Sequence, residues 1–193
     1  MKTCCKGSVL AALPLLGDPN FIRTVVLIAE HSEEGGFGLV VNRPASIKVS
    51  KIWEVVTGGQ CECDSTVYVG GPVQASVISY LHTCRDMTDD ASEVAPGVYF
   101  GTDVEVLGSL IERQRVSTEE GENRELFRVF CGYSGWGEGQ LDRELGSGSW
   151  FVQQTNAAFL FESPIGEMWN RIMGEADGES RFFAMRPKDP DYN

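Results

Sequence analysis

The sequence predicts an α+β fold, a single domain with a mainly antiparallel sheet flanked by helices. Three observations predict it. Apolar runs and period-two patterns fill the first half of the chain, while helical periodicity is confined to short stretches. Several neighbouring strand candidates are joined by links too short for a parallel crossover, which needs a dozen or more residues; antiparallel pairing needs only a hairpin. The chain has 193 residues and 42% hydrophobic content, enough for one domain with a real core. No internal repeat or interdomain linker interrupts it.

The elements follow in order. Residues 9–16 are an apolar stretch, broken by Pro14 and ending in the turn Gly17-Asp18-Pro19. Residues 24–30 (TVVLIAE) are rich in β-branched side chains and read as a buried strand. The turn cluster 32–36 returns the chain as a second strand, 37–41, which makes an antiparallel hairpin. Ile52, Val55 and Val56 at helical spacing predict a short helix within 47–56, and a polar loop follows to 64. Residues 66–69 form a strand stopped by Gly70-Gly71-Pro72. Residues 76–83 form another whose two faces are both partly covered, and 98–101 a third.

A helix then opens with Thr102 as N-cap and Glu105 three residues on, a capping box. Leu107, Leu110 and Ile111 are its apolar stripe, and Gly108 weakens it by roughly 1 kcal/mol relative to Ala. Residues 117–124 read as a charged, mobile connection and 126–131 as a central strand. The glycine-dense segment 132–141 reads as a flexible aromatic turn. Leu141 and Leu145 mark a short helix that Gly146 ends in the left-handed conformation. Residues 150–154 and 157–161 are the last strands. Ser163-Pro164 starts a final helix, with Pro at the permitted first position and Met168, Trp169, Ile172 and Met173 buried. The ends, 1–6 and about 176–193, are expected to be flexible.

Sixteen Lys and Arg against 28 Asp and Glu leave a net charge of −12. Duplex binding gains its affinity by neutralising phosphates with cations, so no nucleic-acid partner is expected. No basic stripe or helix-turn-helix pattern offsets that. No apolar run approaches the 18 or so residues that span a bilayer, and residues 9–16 do not read as a signal peptide. The expectation is a soluble cytoplasmic protein without a membrane partner. Six cysteines are too sparse for a disulfide framework and should be reduced. Cys61-x-Cys63 and His82-x-Cys84 contain zinc-ligand types, but not at knuckle spacings; no metal and no cofactor are expected.

Three segments look more like sites than core. Asn42-Arg43-Pro44 stands at a strand exit, where Arg43 offers a forked donor suited to carboxylate or phosphate; its ordinary use on an acidic surface is an ion pair. Gly70-Gly71-Pro72-Val73 has no Lys and no helix start after it, so it fails as a phosphate loop and reads as a bulge or sharp bend. In Gly132-Tyr133-Ser134-Gly135-Trp136, Trp136 occupies the last glycine position of a nucleophile elbow, so that match fails too. What remains could place Tyr133 and Trp136 beside a pocket or plug the core with them. Only His31 and His82 can shuttle protons near neutral pH, and His82 with Cys131 or Ser134 is the conceivable catalytic dyad.

Taken together, LPLLGDPNFIRTVVLIAEHSEEGGFGLVVNRP, VYVGGPV, LHTC and GYSGWGEGQLDRELGSGSW resemble the AlgH/YqgE family of bacterial proteins of unknown function. The resemblance runs from about residue 7 to 169. The pattern maps onto Asp18, Phe21, Arg23, Glu30-His31, Asn42-Arg43-Pro44, Gly70-Gly71-Pro72-Val73 and Leu81-His82. It continues through Gly132-Tyr133, Gly135-Trp136-Gly137, Gly139-Gln140-Leu141, Glu144-Leu145 and Trp150. Cys4-Cys5 and Cys61/Cys63 lie outside it. The resemblance implies a compact single-domain α+β fold built on an antiparallel, barrel-like sheet. It implies no established activity, although some members carry a transcriptional-regulator label.

The leading expectation is a non-enzymatic binding or regulatory module acting through a protein or small-molecule partner. Its site would be a rim shared by Asn42, Arg43, His82, Tyr133, Trp136 and Gln140. The alternatives are a small hydrolase or transferase using His82 with Cys131 or Ser134, and a transcriptional regulator, for which direct DNA contact is disfavoured by charge.

Overall fold

The computed structural model describes residues 5–87, 92–121 and 124–175. In chain order these contain β1 (Ser8–Ala12), β2 (Val25–Ser32), β3 (Gly35–Val40), β4 (Pro44–Lys48), α1 (Val49–Thr57), β5 (Thr66–Val69), β6 (Val73–His82), β7 (Ser92–Ala95), β8 (Val98–Gly101), α2 (Val104–Glu119), β9 (Phe127–Trp136), α3 (Gln140–Gly146), β10 (Trp150–Gln154), α4 (Ala157–Glu162) and α5 (Met168–Glu175). The strands join in one sheet in the order β10-β1-β2-β3-β9-β6-β8-β7, with β4 and β5 attached beside β9. Every pairing is antiparallel except β5 with β9. β7 packs back against β2, so the sheet curls into a half-barrel. The α+β, mainly antiparallel expectation holds.

β1 and the start of β2 are buried at every position, because both faces of the sheet are covered, which erases the polar alternation of a one-sided sheet. One face carries Val9, Ala11, Leu27, Leu39 and Phe130 against α4 and α5, including the four residues expected on the buried side of α5. The other carries Leu10, Val26, Ile28, Trp136 and Trp150 against Leu141 of α3. A third cluster joins α1 and α2 to β5, β6 and β9 through Val49, Val67, Tyr80, Leu110 and Val129. Gly108 gains a packing reason there: a Cβ on it would lie 2.8 Å from the Trp53 ring.

β9 is the spine of the molecule. Its first half lies parallel to β5, with Val129 beside Val67 and Cys131 beside Val69. Its second half lies antiparallel to β3, with Trp136 beside Gly36 and Ser134 beside Gly38. The expected flexible turn at 132–136 is therefore strand. Close approach to it is met by a glycine of the facing strand: a Cβ on Gly35 of β3 would sit 2.4 Å from the Trp136 carbonyl oxygen.

β5 and β6 flank β9 on opposite edges yet are joined only by residues 70–72. The link must cross β9 at backbone contact. A Cβ on Gly70 would stand 2.3 Å from the Gly132 oxygen, and one on Gly71 2.2 Å from the Tyr133 carbonyl carbon. Gly132 answers with φ +71, and its own Cβ would meet the Gly71 oxygen at 2.8 Å. Only glycine fits such a crossing. The expected bend is this crossing, and the expected bulge follows it: Val73 pairs with Tyr133 but Ile78 with Cys131, so four β6 residues face Gly132 alone.

Several local expectations are corrected. Residues 157–161 are helix α4, not strand: the Asn156 side chain accepts the Phe159 amide at 2.9 Å and starts a helix on a short apolar run. The α2 cap is Asp103, whose carboxylate accepts from Glu105 and Val106 at 2.8 and 3.0 Å. Thr102 stands one residue too early. α2 continues to Glu119, so 117–119 are helical. Gly148, at φ +72, and not Gly146, takes the left-handed conformation after α3. Pro164 precedes a short 3-10 turn ahead of α5. β1, β4 and β7 were not expected as strands. Of the expected flexible ends, Cys5 is buried and its amide donates to His31 Nδ1 at 3.2 Å; 1–4 and 176–193 lie outside the described residues.

Candidate functional site

Asn42 and Arg43 leave β3 and turn onto the loop before β2. Asn42 Oδ1 accepts the Val25 amide at 2.8 Å, and its Nδ2 donates to the Arg23 carbonyl at 2.9 Å. Arg43 donates to the carbonyls of Asn20 and Ile22. Burial pulls its pKa below the ordinary value against the charge of Asp18. The pair clamps residues 20–25, which bring Phe21 over the face of the sheet covered by α3.

Phe21 stacks near Trp136 with centroids 6.4 Å apart and meets Trp150 edge-on at 5.4 Å. The indole N–H groups of Trp136 and Trp150 both donate to Glu144 Oε2, at 2.9 and 2.8 Å. Gln140 Nε2 donates to the other carboxylate oxygen at 2.8 Å, and Gln140 Oε1 accepts the Gly137 amide at 3.1 Å. Asn42, Arg43, Trp136 and Gln140 thus belong to one network joined through Phe21 and Glu144. These hydrogen bonds hold a loop and a helix to the sheet. Glu144 is its hub; in the sequence it showed only as part of the family pattern and in its i, i+4 spacing from Gln140.

Tyr133 stands elsewhere. It meets Phe37 edge-on at 6.3 Å, and Phe37 meets Phe100 at 5.5 Å. The three rings come from β9, β3 and β8, and all are half-buried at the margin of the α4–α5 core. Val73 lies directly opposite Tyr133. From there β6 runs along an edge that no strand covers among the described residues, because β8 pairs only with Tyr80, Leu81 and His82. Pro72, Gln74, Ala75, Ser76 and Val77 are exposed, and no Asp, Glu, Lys or Arg occurs between residues 65 and 84. The free edge was not anticipated; the uncharged run was its sequence signal.

His82 is fully buried between Tyr80 and Tyr99, with centroids at 5.8 and 5.6 Å. Neither ring nitrogen has a hydrogen-bond partner among the described residues. Burial drives its pKa below the ordinary value, only partly opposed by the Cys84 backbone and the Asp86 charge. Its strand neighbour is Phe127, and Cys131 is four residues further along β9, about 13 Å away at the rise of a strand. Ser134 lies beyond, buried, with its hydroxyl donating to the Gly70 carbonyl at 3.3 Å. Neither nucleophile reaches His82. Burial also raises the Cys131 thiol pKa, the opposite of activation.

A surface groove of about 510 Å³ lies beside α1, lined by Ser50, Lys51, Glu54, Gln60, Cys61 and Glu62; none of the six expected residues borders it. Among the described residues no three His, Cys, Asp or Glu side chains converge to hold a metal ion. None of the helices there is long and apolar enough to cross a membrane.

Comparison with known proteins agrees with this architecture. The AlgH-like family matches residues 9–181. The UPF0301 protein CT0663 of Chlorobaculum tepidum is 38% identical over 187 residues, spanning 97% of this chain and 95% of its own. The solution structure of the AlgH protein from Pseudomonas aeruginosa superposes with a TM-score of 0.71 at 28% identity, covering 98% of each chain. Protein DIP2367 from Corynebacterium diphtheriae shares the fold, with a TM-score of 0.71 at 23% identity over 94% of this chain and 92% of its own. The chain belongs to the AlgH-like, UPF0301 family.

Proposed function

We propose that this chain is a non-enzymatic binding module of the cytoplasm that acts through a protein partner, and that the partner meets it at Tyr133. One observation carries the reading. Three half-buried aromatic rings converge from three strands beside a free, charge-free strand edge. Aromatic side chains are enriched and charged ones depleted at the centres of protein interfaces. On a chain of net charge −12, an uncharged surface is where a partner docks with least desolvation of charge. A regulatory role, if present, runs through such a partner rather than through DNA, whose phosphates the net charge repels. The separation of His82 from Cys131 and Ser134 withdraws support from the hydrolase alternative.

The test is affinity capture with wild-type, Tyr133→Ala and Val77→Lys baits, with thermal unfolding measured in parallel. The expected result is a shared captured protein lost with both variants while each stays folded at 25 °C. Identical captures by all three baits overturn the reading and leave Tyr133 a packing residue.

A further inference from the structure

We propose that β10 is a self-association edge, where two copies of this chain pair their β10 strands antiparallel about a two-fold axis at Val152. The surface is separate from that around Tyr133, since β1, β2 and β3 lie between β10 and β9. The sheet has two ends. β7 at one end packs back against β2. β10 at the other pairs with β1 and with no further strand among the described residues. Hydrogen bonds fix which of its backbone groups point outward. The Ala12 amide donates to the Thr24 carbonyl at 3.0 Å, toward β2, and the Leu13 amide to the Ser149 carbonyl at 3.0 Å, toward β10. Alternation along β1 then aims Ala11 and Val9 at their partners Phe151 and Gln153. Trp150, Val152 and Gln154 therefore turn their N–H and C=O groups away from β1, to the open side.

Regularity, charge and symmetry select a second copy as the occupant. The five residues of β10 keep unbroken register with β1. Protected edges carry a bulge, a proline or a charge, and residues 150–154 hold none of these. A net charge of −12 repels a second copy over most of the surface. Yet no Asp, Glu, Lys or Arg occurs between residues 144 and 162. Glu175, whose carboxylate accepts from Gln153 Nε2 at 2.7 Å, lies on the α5 face of the strand, opposite the face of Val152. An antiparallel pair of identical strands is two-fold symmetric, which is the form of most protein dimers. Centred on Val152, it sets Trp150 opposite Gln154 of the second copy, so all three outward residues find backbone partners. Val152, 37% exposed, then meets its own copy as a β-branched cross-strand pair.

Sedimentation equilibrium of the full, reduced chain reads the association. The expected result is a reversible dimer that tightens as NaCl rises from about 0.05 to about 0.5 M, because salt screens the repulsion between like-charged copies. Val152→Lys and Val152→Asp each put like charges on the axis and should weaken the dimer at least about tenfold. An equimolar mixture of the two variants should restore it, which only a contact of residue 152 with its own copy explains. Val77→Lys, on β6, should change nothing. Circular dichroism verifies each fold. Hydrogen exchange reads the edge itself: the Val152 amide should lose protection as dilution dissociates the dimer. A chain that stays monomeric, a dimer that Val152→Lys leaves intact, or a mixture that stays monomeric overturns the proposal. So does a protected Val152 amide in a monomer, which would put another cover on the edge.

Discussion

Trp136 and Trp150 place their indole N–H groups on the same oxygen of Glu144, at 2.9 and 2.8 Å. One carboxylate at the surface of α3 thereby ties the end of β9 to the start of β10. Glu144→Ala leaves two largely buried donors unpaired, at a cost of about 1–3 kcal/mol each when fully desolvated. The expected loss is about 2–4 kcal/mol in urea denaturation, with a red-shifted tryptophan emission. Glu144→Gln keeps one acceptor oxygen, enough for the two indoles, and should lose less than Glu144→Ala. Equal stability of all three proteins would show the carboxylate to be dispensable.

Asn42 and Arg43 act on one loop, so their removal should not add. Asn42→Ala and Arg43→Ala are each expected to cost about 1–2 kcal/mol, the scale of lost side-chain hydrogen bonds. The double variant should cost less than the sum by at least 0.5 kcal/mol, as expected for groups that order one and the same segment. A double-mutant cycle checks this. Strict additivity would mean that the two clamps hold independent segments.

His82 makes the protein acid-labile in a defined window. Its folded-state pKa is lowered by burial, so below the unfolded value, near 6.5, the unfolded chain binds the proton first. The stability that His82 contributes is complete above that value and is lost as pH falls toward the lowered folded pKa. Unfolding free energies at pH 7.5, 6.5 and 5.5 should decline, and His82→Leu, an apolar side chain in a fully buried site, should flatten the decline at a cost of about 1–2 kcal/mol at pH 7.5. An unchanged slope in that variant would assign the acid sensitivity to carboxylates.

Gly71 and Gly148 separate two costs of a side chain. Both have positive φ, +154° and +72°, but a Cβ at Gly148 meets open space while one at Gly71 meets Tyr133 backbone at 2.2 Å. Gly148→Ala should cost only about 1 kcal/mol for the left-handed backbone. Gly71→Ala should prevent folding, read as loss of cooperative thermal unfolding. Similar behaviour of the two would put the cost in φ rather than in contact.

The antiparallel sheet, α1, and the buried face of α5 were legible because periodicity and link length are local properties. The crossing of Gly70-Gly71-Pro72 over Gly132 was not, because its clash partner lies some sixty residues away in sequence. Ala157–Glu162 misled because a short apolar run is the same in a strand and a buried helix, and Asn156 decided between them. The residues singled out as ligand-binding types were visible, but their use was not: Arg43 donates to backbone carbonyls and Gln140 to Glu144, and Tyr133 acquires its setting from Phe37 and Phe100, which no motif linked to it.

The three-residue link between β5 and β6 also constrains the order of folding. These strands never pair with one another, since β9 lies between them. A hairpin of residues 66–82 formed early would be a trap, closed to the strand it must admit. Native pairing waits for a segment synthesised some fifty residues later, and closing long loops before contacts reward it slows folding. Refolding should therefore be slow for a chain of this size, and variants that loosen the 70–72 corner should misfold before they unfold.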